Sequence, residues 1–253
     1  PTVTQNLAVT IQLVTVGAGG EFLDVDVTAN LPGNADYSST GATFLGGTGI
    51  VDGNTANIVV SAIDDRRVEG TESFAGQGLT NNTSTATISM VSGTETIQVN
   101  DNDTATISLQ SPSSTGAENI TPRNVTGVLT ISAIGTGTVQ LDQTVSVVVT
   151  DAGGGTAGGA GTDYTAAAGA PATITFGVGS LHLATASTSA LLAINNDTLI
   201  EASETVNVEI LPANLTDGTG GQVTIDLAAD THQATITDND VAVVSIVGGT
   251  TSV

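Results

Sequence analysis

The chain has 253 residues, 39% of them hydrophobic and 2% aromatic, with no cysteine and a formal net charge of −22. Because Arg66, Arg67 and Arg123 are its only Lys or Arg residues, the composition disfavours nucleic acid and anionic membranes as partners. It also excludes disulfide and thiolate chemistry. No apolar run reaches the roughly 18 residues that a membrane-spanning helix requires.

Short aliphatic runs separated by Gly, Asn and Asp clusters predict an all-β chain. In the first half, residues 6–16 and 22–29 are predicted as a hairpin, followed by strands near residues 42–44, 56–63, 73–79, 85–90 and 94–99. In the second half, strands are predicted at residues 104–110, 125–134, 144–150, 172–176, 187–194, 206–210 and 234–237. About seven short strands per half indicate a β-sandwich in each.

Three motifs occur in the same order in both halves. Asp36-Tyr37 matches Asp163-Tyr164, and the acidic loop at residues 64–72 matches residues 196–204. The closing Asp101-Asn102-Asp103 matches Asp238-Asn239-Asp240. Pro1 aligns with about Pro122, so the first repeat lacks an opening strand, whereas residues 241–253 repeat the start of the second repeat without a sandwich of their own. We therefore predict domains at residues 1–103 and 104–240, followed by an orphan C-terminal strand at residues 241–253.

This order of motifs resembles the Calx-β domain family, found in exchanger regulatory domains and in long bacterial surface proteins. The resemblance covers nearly the whole chain and implies two tandem immunoglobulin-like sandwiches, the first lacking its opening strand. It also implies possible Ca²⁺ sites where the loops meet the last strand of each domain. The fold is implied more firmly than any single activity.

Carboxylates are the only candidate site chemistry, and Ca²⁺ requires six to eight oxygen ligands. In the second repeat the resemblance implies Glu118, Asp163, Asn196, Asp197, Glu201, Glu204, Asp238 and Asp240. In the first repeat it implies Asp36, Asp64, Asp65, Glu69, Glu72, Asp101 and Asp103.

Several residues depart from this pattern. Asn196 replaces an acidic ligand, Arg66 and Arg67 lie within the first acidic loop, and the first repeat has no internal counterpart of Glu118. Sodium and magnesium are weaker rivals to calcium. Alternatively, Asp-Asn-Asp is only a turn between domains and the Glu residues cap backbone N–H groups.

His182 and His232 show no metal-ligand spacing and are predicted to face solvent.

We predict a structural protein rather than an enzyme. A glycosidase needs an acid and a base facing a sugar cleft, and this chain has no Trp and only two Tyr. The leading hypothesis is a secreted subunit of an extracellular filament. Each subunit donates its C-terminal strand, through Val241, Val243, Val244, Ile246 and Val247, to the first domain of an identical neighbour. Such a contact is head-to-tail and does not close.

Pro1 is not an initiator residue, which suggests processing, such as the loss of a signal peptide. Membrane insertion is not expected, and the adhesive target is unknown. The alternatives are a segment of a long calcium-binding tandem-repeat adhesin, a calcium-sensing regulatory module, or a carbohydrate-active enzyme.

Overall fold

In the residues that the computed structural model describes, every element of regular secondary structure is a β-strand. It describes residues 4–10, 27–30, 36–45, 54–75, 80–81, 96–121, 123–159, 162–166, 172–189 and 191–249. The strands are β1 (Thr4–Thr10), β2 (Val27–Asn30), β3 (Tyr37–Thr40), β4 (Ala42–Phe44), β5 (Thr55–Ala62), β6 (Arg67–Val68), β7 (Glu72–Ala75), β8 (Thr80–Asn81), β9 (Thr96–Val99), β10 (Thr104–Leu109), β11 (Ser113–Ala117), β12 (Thr126–Ser132), β13 (Gln140–Leu141), β14 (Val145–Asp151), β15 (Tyr164–Ala166), β16 (Ala172–Phe176), β17 (Thr185–Ser187), β18 (Leu192–Ile194), β19 (Glu204–Asp217), β20 (Val223–Ile225) and β21 (Thr231–Thr237). The all-β prediction is confirmed. Within the described ranges, no helix is long and apolar enough to cross a membrane.

The chain divides into two compact units. The first unit comprises residues 1–103 together with 133–139, and the second comprises residues 104–132 and 140–253. Each is described separately below.

The first unit contains sheets with the strand orders β1-β5-β3 and β4-β2-β8, and a β7-β9 pair. Tyr37, Ala42, Ile58, Val60 and Val99 form its buried cluster. The predicted pairing of residues 6–16 with 22–29 is not found in the described parts of these segments, because β1 pairs with β5 while β2 pairs with β4 and β8; residues 11–16 and 22–26 lie outside the described residues. The turn proposed between them, residues 17–20, lies outside the described residues.

The second unit contains a sheet with the order β17-β12-β10-β20 and a larger sheet with the order β11-β21-β19-β14-β16. Alternate residues of β10 and β12 are buried, as they are along β14 and β21. The two sheets face each other, since a Cβ added at Gly127 on β12 would lie 2.9 Å from Ile174 Cγ2 on β16. Glycine is therefore required there for the sheets to approach closely.

Three sequence predictions for the second unit need correction. Residues 187–194 are not one strand, because β17 ends at Ser187 and β18 begins at Leu192. The strand predicted at residues 206–210 is part of the much longer β19. His232 is buried, not solvent-facing: its Nε2 hydrogen-bonds to Ser114 Oγ at 2.8 Å and its Nδ1 to the Ser111 carbonyl at 2.7 Å.

Candidate functional site: two carboxylate clusters and an exposed apolar segment

Carboxylates from separate segments of the second unit meet at one end of its sheets. β11 runs parallel to β21, and β19 runs antiparallel to it, so the end of β11, the start of β19 and the end of β21 coincide. Residues that line the resulting cavity are Glu118, Asp163, Asn195, Asp197, Glu201, Ala202, Glu204, Ile236 and Asp238. We call this group, together with Asp240, the second-unit cluster.

Glu118 is the most deeply placed carboxylate of this cluster. Its side chain is only 5% exposed, and its Oε1 atom is buried without a hydrogen-bond partner. Burial raises the pKa of Glu118, and the neighbouring charges of Asp238 and Asp240 raise it further. A buried carboxylate with an unsatisfied oxygen is costly unless a cation or a donor pairs with it.

The carboxylates of the second-unit cluster form three overlapping groups. Glu118 groups with Asp197 and Glu201, and also with Asp238 and Asp240, while Glu201 groups with Asp163 and Glu204. Within each group, one ligand oxygen per residue lies within 4.8 Å of the others. Two oxygens bound to one Ca²⁺ at about 2.3–2.6 Å lie at most roughly 5 Å apart. The spacing therefore suits ligands that share a cation.

Backbone N–H groups orient several members of this cluster. Asp238 accepts hydrogen bonds from the N–H groups of Glu201 at 2.8 Å and Asp240 at 2.6 Å, and such bonds lower the pKa of Asp238. Asp163 accepts from the Gly158 N–H, and Asp197 accepts from the Leu199 N–H at 2.7 Å. These hydrogen bonds hold the carboxylates in place.

The pKa values of Glu201 and Glu204 shift in the opposite direction from that of Asp238, because both are raised. Desolvation raises the pKa of Glu201, and the charges of Asp197, Asp163 and Asp238 add to this effect. Desolvation and then interaction with Asp163 raise the pKa of Glu204. The cluster thus concentrates negative charge that a bound cation would relieve.

The first unit has a similar but smaller cluster. Asp36, Glu69 and Glu72 place ligand oxygens within 4.8 Å of one another, and Asp65 and Asp101 line the same cavity. Ile63 occupies the lining position that Asn195 has in the second unit. The N–H of Glu69 donates to Asp101 at 2.8 Å, as that of Glu201 does to Asp238.

Four of the predicted ligands, Asp64, Asp103, Asn196 and Asp240, are not among the residues that line the two cavities, although Asp240 groups with Glu118 and Asp238. Asp64 and Asn196 are absent from the linings, although their neighbours Asp65, Asn195 and Asp197 are present. Asp103 is buried, and its Oδ1 accepts the N–H of Ile134 at 2.9 Å. Arg67 lies beside the first cluster, with its Nε 3.5 Å from Asp65 Oδ2.

Sequence reasoning missed Asn195, whose Nδ2 donates to the Thr162 carbonyl at 3.0 Å. The signal was available, because side chains in an extended segment alternate and Asn195 lies two residues before Asp197.

Beyond Asp240, the chain presents an apolar segment to solvent. We call residues 241–247 the tail segment. Val241, Val243, Val244, Ile246 and Val247 are 83–96% exposed, and residues 241–249 form no strand within the single chain. In β10, which the tail segment repeats, Ala105, Ile107 and Leu109 are at most 6% exposed.

Comparison with known proteins gives matches to solved structures only. No protein-family model and no curated protein matches the chain. The apo form of the Calx CBD1 domain matches at 18% identity and a TM-score of 0.36, over 54% of this chain and 99% of that one. CBD12 from CALX1.2 matches at 19% identity and a TM-score of 0.37, over 53% of this chain and 44% of that one.

Proposed function

We propose that the protein is a structural subunit of an extracellular filament, in which the tail segment of one copy completes the first unit of the next. The observation that carries the proposal is the contrast between the tail segment and β10. The two share sequence position relative to Asp-Asn-Asp, but the tail side chains are exposed whereas those of β10 are in the core. An exposed β-branched run of this kind favours pairing with an open sheet edge.

The first unit offers such an edge. Among the described residues, β1 pairs on one side only, with β5. In the second unit, β12 pairs with β17 on one side and with β10 on the other. The open side of β1 therefore corresponds to the side of β12 that β10 covers.

The free energy of association favours binding of the tail segment to the first unit of the next copy if the segment is buried there as β10 is in the second unit. Burying Val244 and Ile246 contributes about 1.5–3 kcal/mol each, and new backbone hydrogen bonds add to this. Ordering the segment and joining two molecules offset part of the gain. Because the donating and accepting surfaces differ, the contact repeats without closing and generates a fibre. The acidic, Gly- and Thr-rich, cysteine-free composition supports the extracellular location.

The test compares the full chain with a chain ending at Asp240. Sedimentation velocity and electron microscopy of the full chain should show assemblies that grow with protein concentration, whereas the shortened chain should remain monomeric. A synthetic peptide of residues 241–253 should bind the shortened chain. If the shortened chain builds the same filaments, strand donation is wrong. If the full chain stays monomeric and the peptide does not bind, the tail segment is better explained as the start of a further repeat in an adhesin array.

A second candidate function, Ca²⁺ binding by the second-unit cluster, is favoured by the buried Glu118 oxygen that has no protein partner. The donor set consists of hard carboxylate oxygens, which suit Ca²⁺. Glu118, Asp197, Glu201, Asp238 and Asp240 would hold the ion, and Asp163 and Glu204 would complete the acidic group. The bound ion would neutralise the charge between the loops and so stabilise this end of the unit.

Calcium binding is tested by thermal unfolding in Ca²⁺ and in chelator. The wild type should unfold at a higher temperature in Ca²⁺, by an amount that grows with its concentration. Glu118→Gln should lose most of that shift. The matched control is Glu209→Gln, which changes a glutamate of β19 outside the cluster and should keep the shift. Equal midpoints for wild type in the two conditions would rule out calcium binding.

A further inference from the structure

We propose a specific register for the donated strand: the tail segment pairs antiparallel with β1 of the next copy, with Val244 opposite Val9 and Ile246 opposite Leu7. This inference rests on the proposed filament and specifies its joint at the level of single residue pairs.

The template for the donor is β10. In its antiparallel pairing with β12, Ala105 lies opposite Ile131, Ile107 opposite Leu129 and Leu109 opposite Gly127. These three β10 residues are buried and alternate with the more exposed Thr104, Thr106 and Ser108. Counting from Asp-Asn-Asp, the equivalent tail residues are Ala242, Val244 and Ile246. In the proposed filament, these three tail residues face the core of the accepting unit.

The template for the acceptor is β12. Ala8-Val9-Thr10-Ile11 matches Val128-Leu129-Thr130-Ile131 in sequence. The register of β1 on β5 supports this alignment, because position 7 lies opposite Ile58, which is fully buried, and position 9 lies opposite Ala56. Directly opposed residues share a face of the sheet, so the register places positions 7 and 9 on the same face as Ile58 and Ala56.

Together, the two templates specify the register in which the tail segment pairs with β1 of the next copy. Val244 lies opposite Val9 and Ile246 opposite Leu7 on the core side, while Val243 lies opposite Thr10 and Ser245 opposite Ala8 on the other face. A slip of one residue would turn Val244 and Ile246 outward and move Ser245 into the core. Burying that hydroxyl without a partner is unfavourable. Ser245 therefore disfavours the slipped register even though its neighbours on both faces are apolar.

Cysteine pairs can measure this register directly, because the chain has no native cysteine. The test variant carries Val243→Cys and Thr10→Cys, which are opposite each other on the face away from the core. Opposed strand residues have Cβ atoms about 4.5–5.5 Å apart, which is close to disulfide range. Mild oxidation of assembled protein should give a ladder of covalent multimers on a non-reducing gel. The internal reference is Thr106→Cys with Thr130→Cys, the equivalent pair of β10 and β12, which should form an intramolecular disulfide.

Two further variants probe other registers on the same face, Val241→Cys with Thr10→Cys and Ser245→Cys with Thr10→Cys. They should cross-link far more slowly than the pair at positions 243 and 10. If filaments form and one of these shifted pairs cross-links fastest, the register is wrong while strand donation stands. If no filament forms with any variant or with the wild type, the proposed function itself fails.

Discussion

The backbone N–H of Glu201 donates a hydrogen bond of 2.8 Å to the carboxylate of Asp238, and the equivalent pair, Glu69 and Asp101, is joined in the same way at 2.8 Å. In both units the same aspartate also accepts the N–H two residues further on, from Asp240 and Asp103 respectively. The first Asp of Asp-Asn-Asp therefore ties the acidic loop to the end of the last strand. The turn interpretation of this motif and the calcium interpretation are compatible, since a carboxylate held by N–H groups retains lone pairs for an ion.

Stability in chelator should fall as pH rises above about 4.5, the ordinary pKa of glutamate. Glu118, Glu201 and Glu204 have raised pKa values in the folded chain, so the folded state binds protons more tightly than the unfolded state there. When these glutamates ionise, they lower the free energy of unfolding. This loss is absent below their pKa in the unfolded chain and complete above their pKa in the folded chain. Asp238, with a lowered pKa, contributes in the opposite sense, and its stabilisation is lost only as pH falls below about 3.8.

Denaturant unfolding across pH 4–8 measures this dependence. Glu118→Gln should flatten the decline and make the chelated protein more stable than wild type at pH 7, whereas Glu209→Gln should keep the wild-type slope. A wild-type stability that rises steadily from pH 4.5 to 7 would contradict the raised pKa values.

Calcium should stabilise the second unit more than the first, because the first-unit cluster has Ile63 in place of Asn195 and no internal counterpart of Glu118. The variant with Glu201→Ala and Glu204→Ala should lose most of the calcium-dependent shift in unfolding temperature. The matched variant with Glu69→Ala and Glu72→Ala should retain the larger part of it. Equal losses in the two variants would show that the clusters bind alike, and no loss in either would place the ion elsewhere.

Tyr164 should contribute to stability through its hydroxyl, which donates to Asp151 Oδ2 at 2.6 Å and has its pKa raised to about 12 by that bond. Tyr164→Phe should cost about 1.5 kcal/mol, as expected for a hydrogen bond to a charged group. Adding Asp151→Asn should cost less in the Phe background than in wild type, because the two residues act together. Purely additive losses in denaturant unfolding would argue against the bond.

Arg123 should hold the edge strand β11 in place. Its guanidinium donates to the Thr235 carbonyl at 2.9 Å, to the Ala117 carbonyl at 3.0 Å and to the Gly116 carbonyl. Arg123→Met should destabilise the second unit by roughly 2 kcal/mol and speed amide exchange in β11. Arg67→Met removes an exposed arginine paired with Asp65 and should cost at most about 1 kcal/mol. Unchanged exchange in β11 would contradict this role for Arg123.

The sequence predicted elements that carry strong apolar alternation and missed those that depend on tertiary contacts. β10 and β16 lie where the pattern places them, because every second residue is apolar and buried. β11 was not predicted, since Ser113–Ala117 has little β propensity. It exists as a strand because β21 pairs with it and Arg123 bonds to its carbonyls.

The same distinction applies to the carboxylate clusters. The order of the motifs was enough to predict that distant carboxylates such as Glu118, Asp163 and Asp238 belong to one site. It could not say which of two adjacent residues faces the cavity, as for Asp64 and Asp65. It also could not show that Asp103 would bond to Ile134, because that contact depends on a loop distant in sequence.

The central claim, that the tail segment is a donated strand with one core-facing side, is tested most directly by placing a charge on each side in turn. Val244→Asp puts a carboxylate at a core-facing position, whereas Val243→Asp places the same charge at the adjacent position on the opposite face. Both residues are about equally exposed in the single chain, so neither change should disturb the folding of the subunit. Sedimentation velocity at matched concentration should show monomers for Val244→Asp and wild-type assemblies for Val243→Asp. Assembly of both variants to the wild-type extent, or loss of assembly in both, would contradict the account.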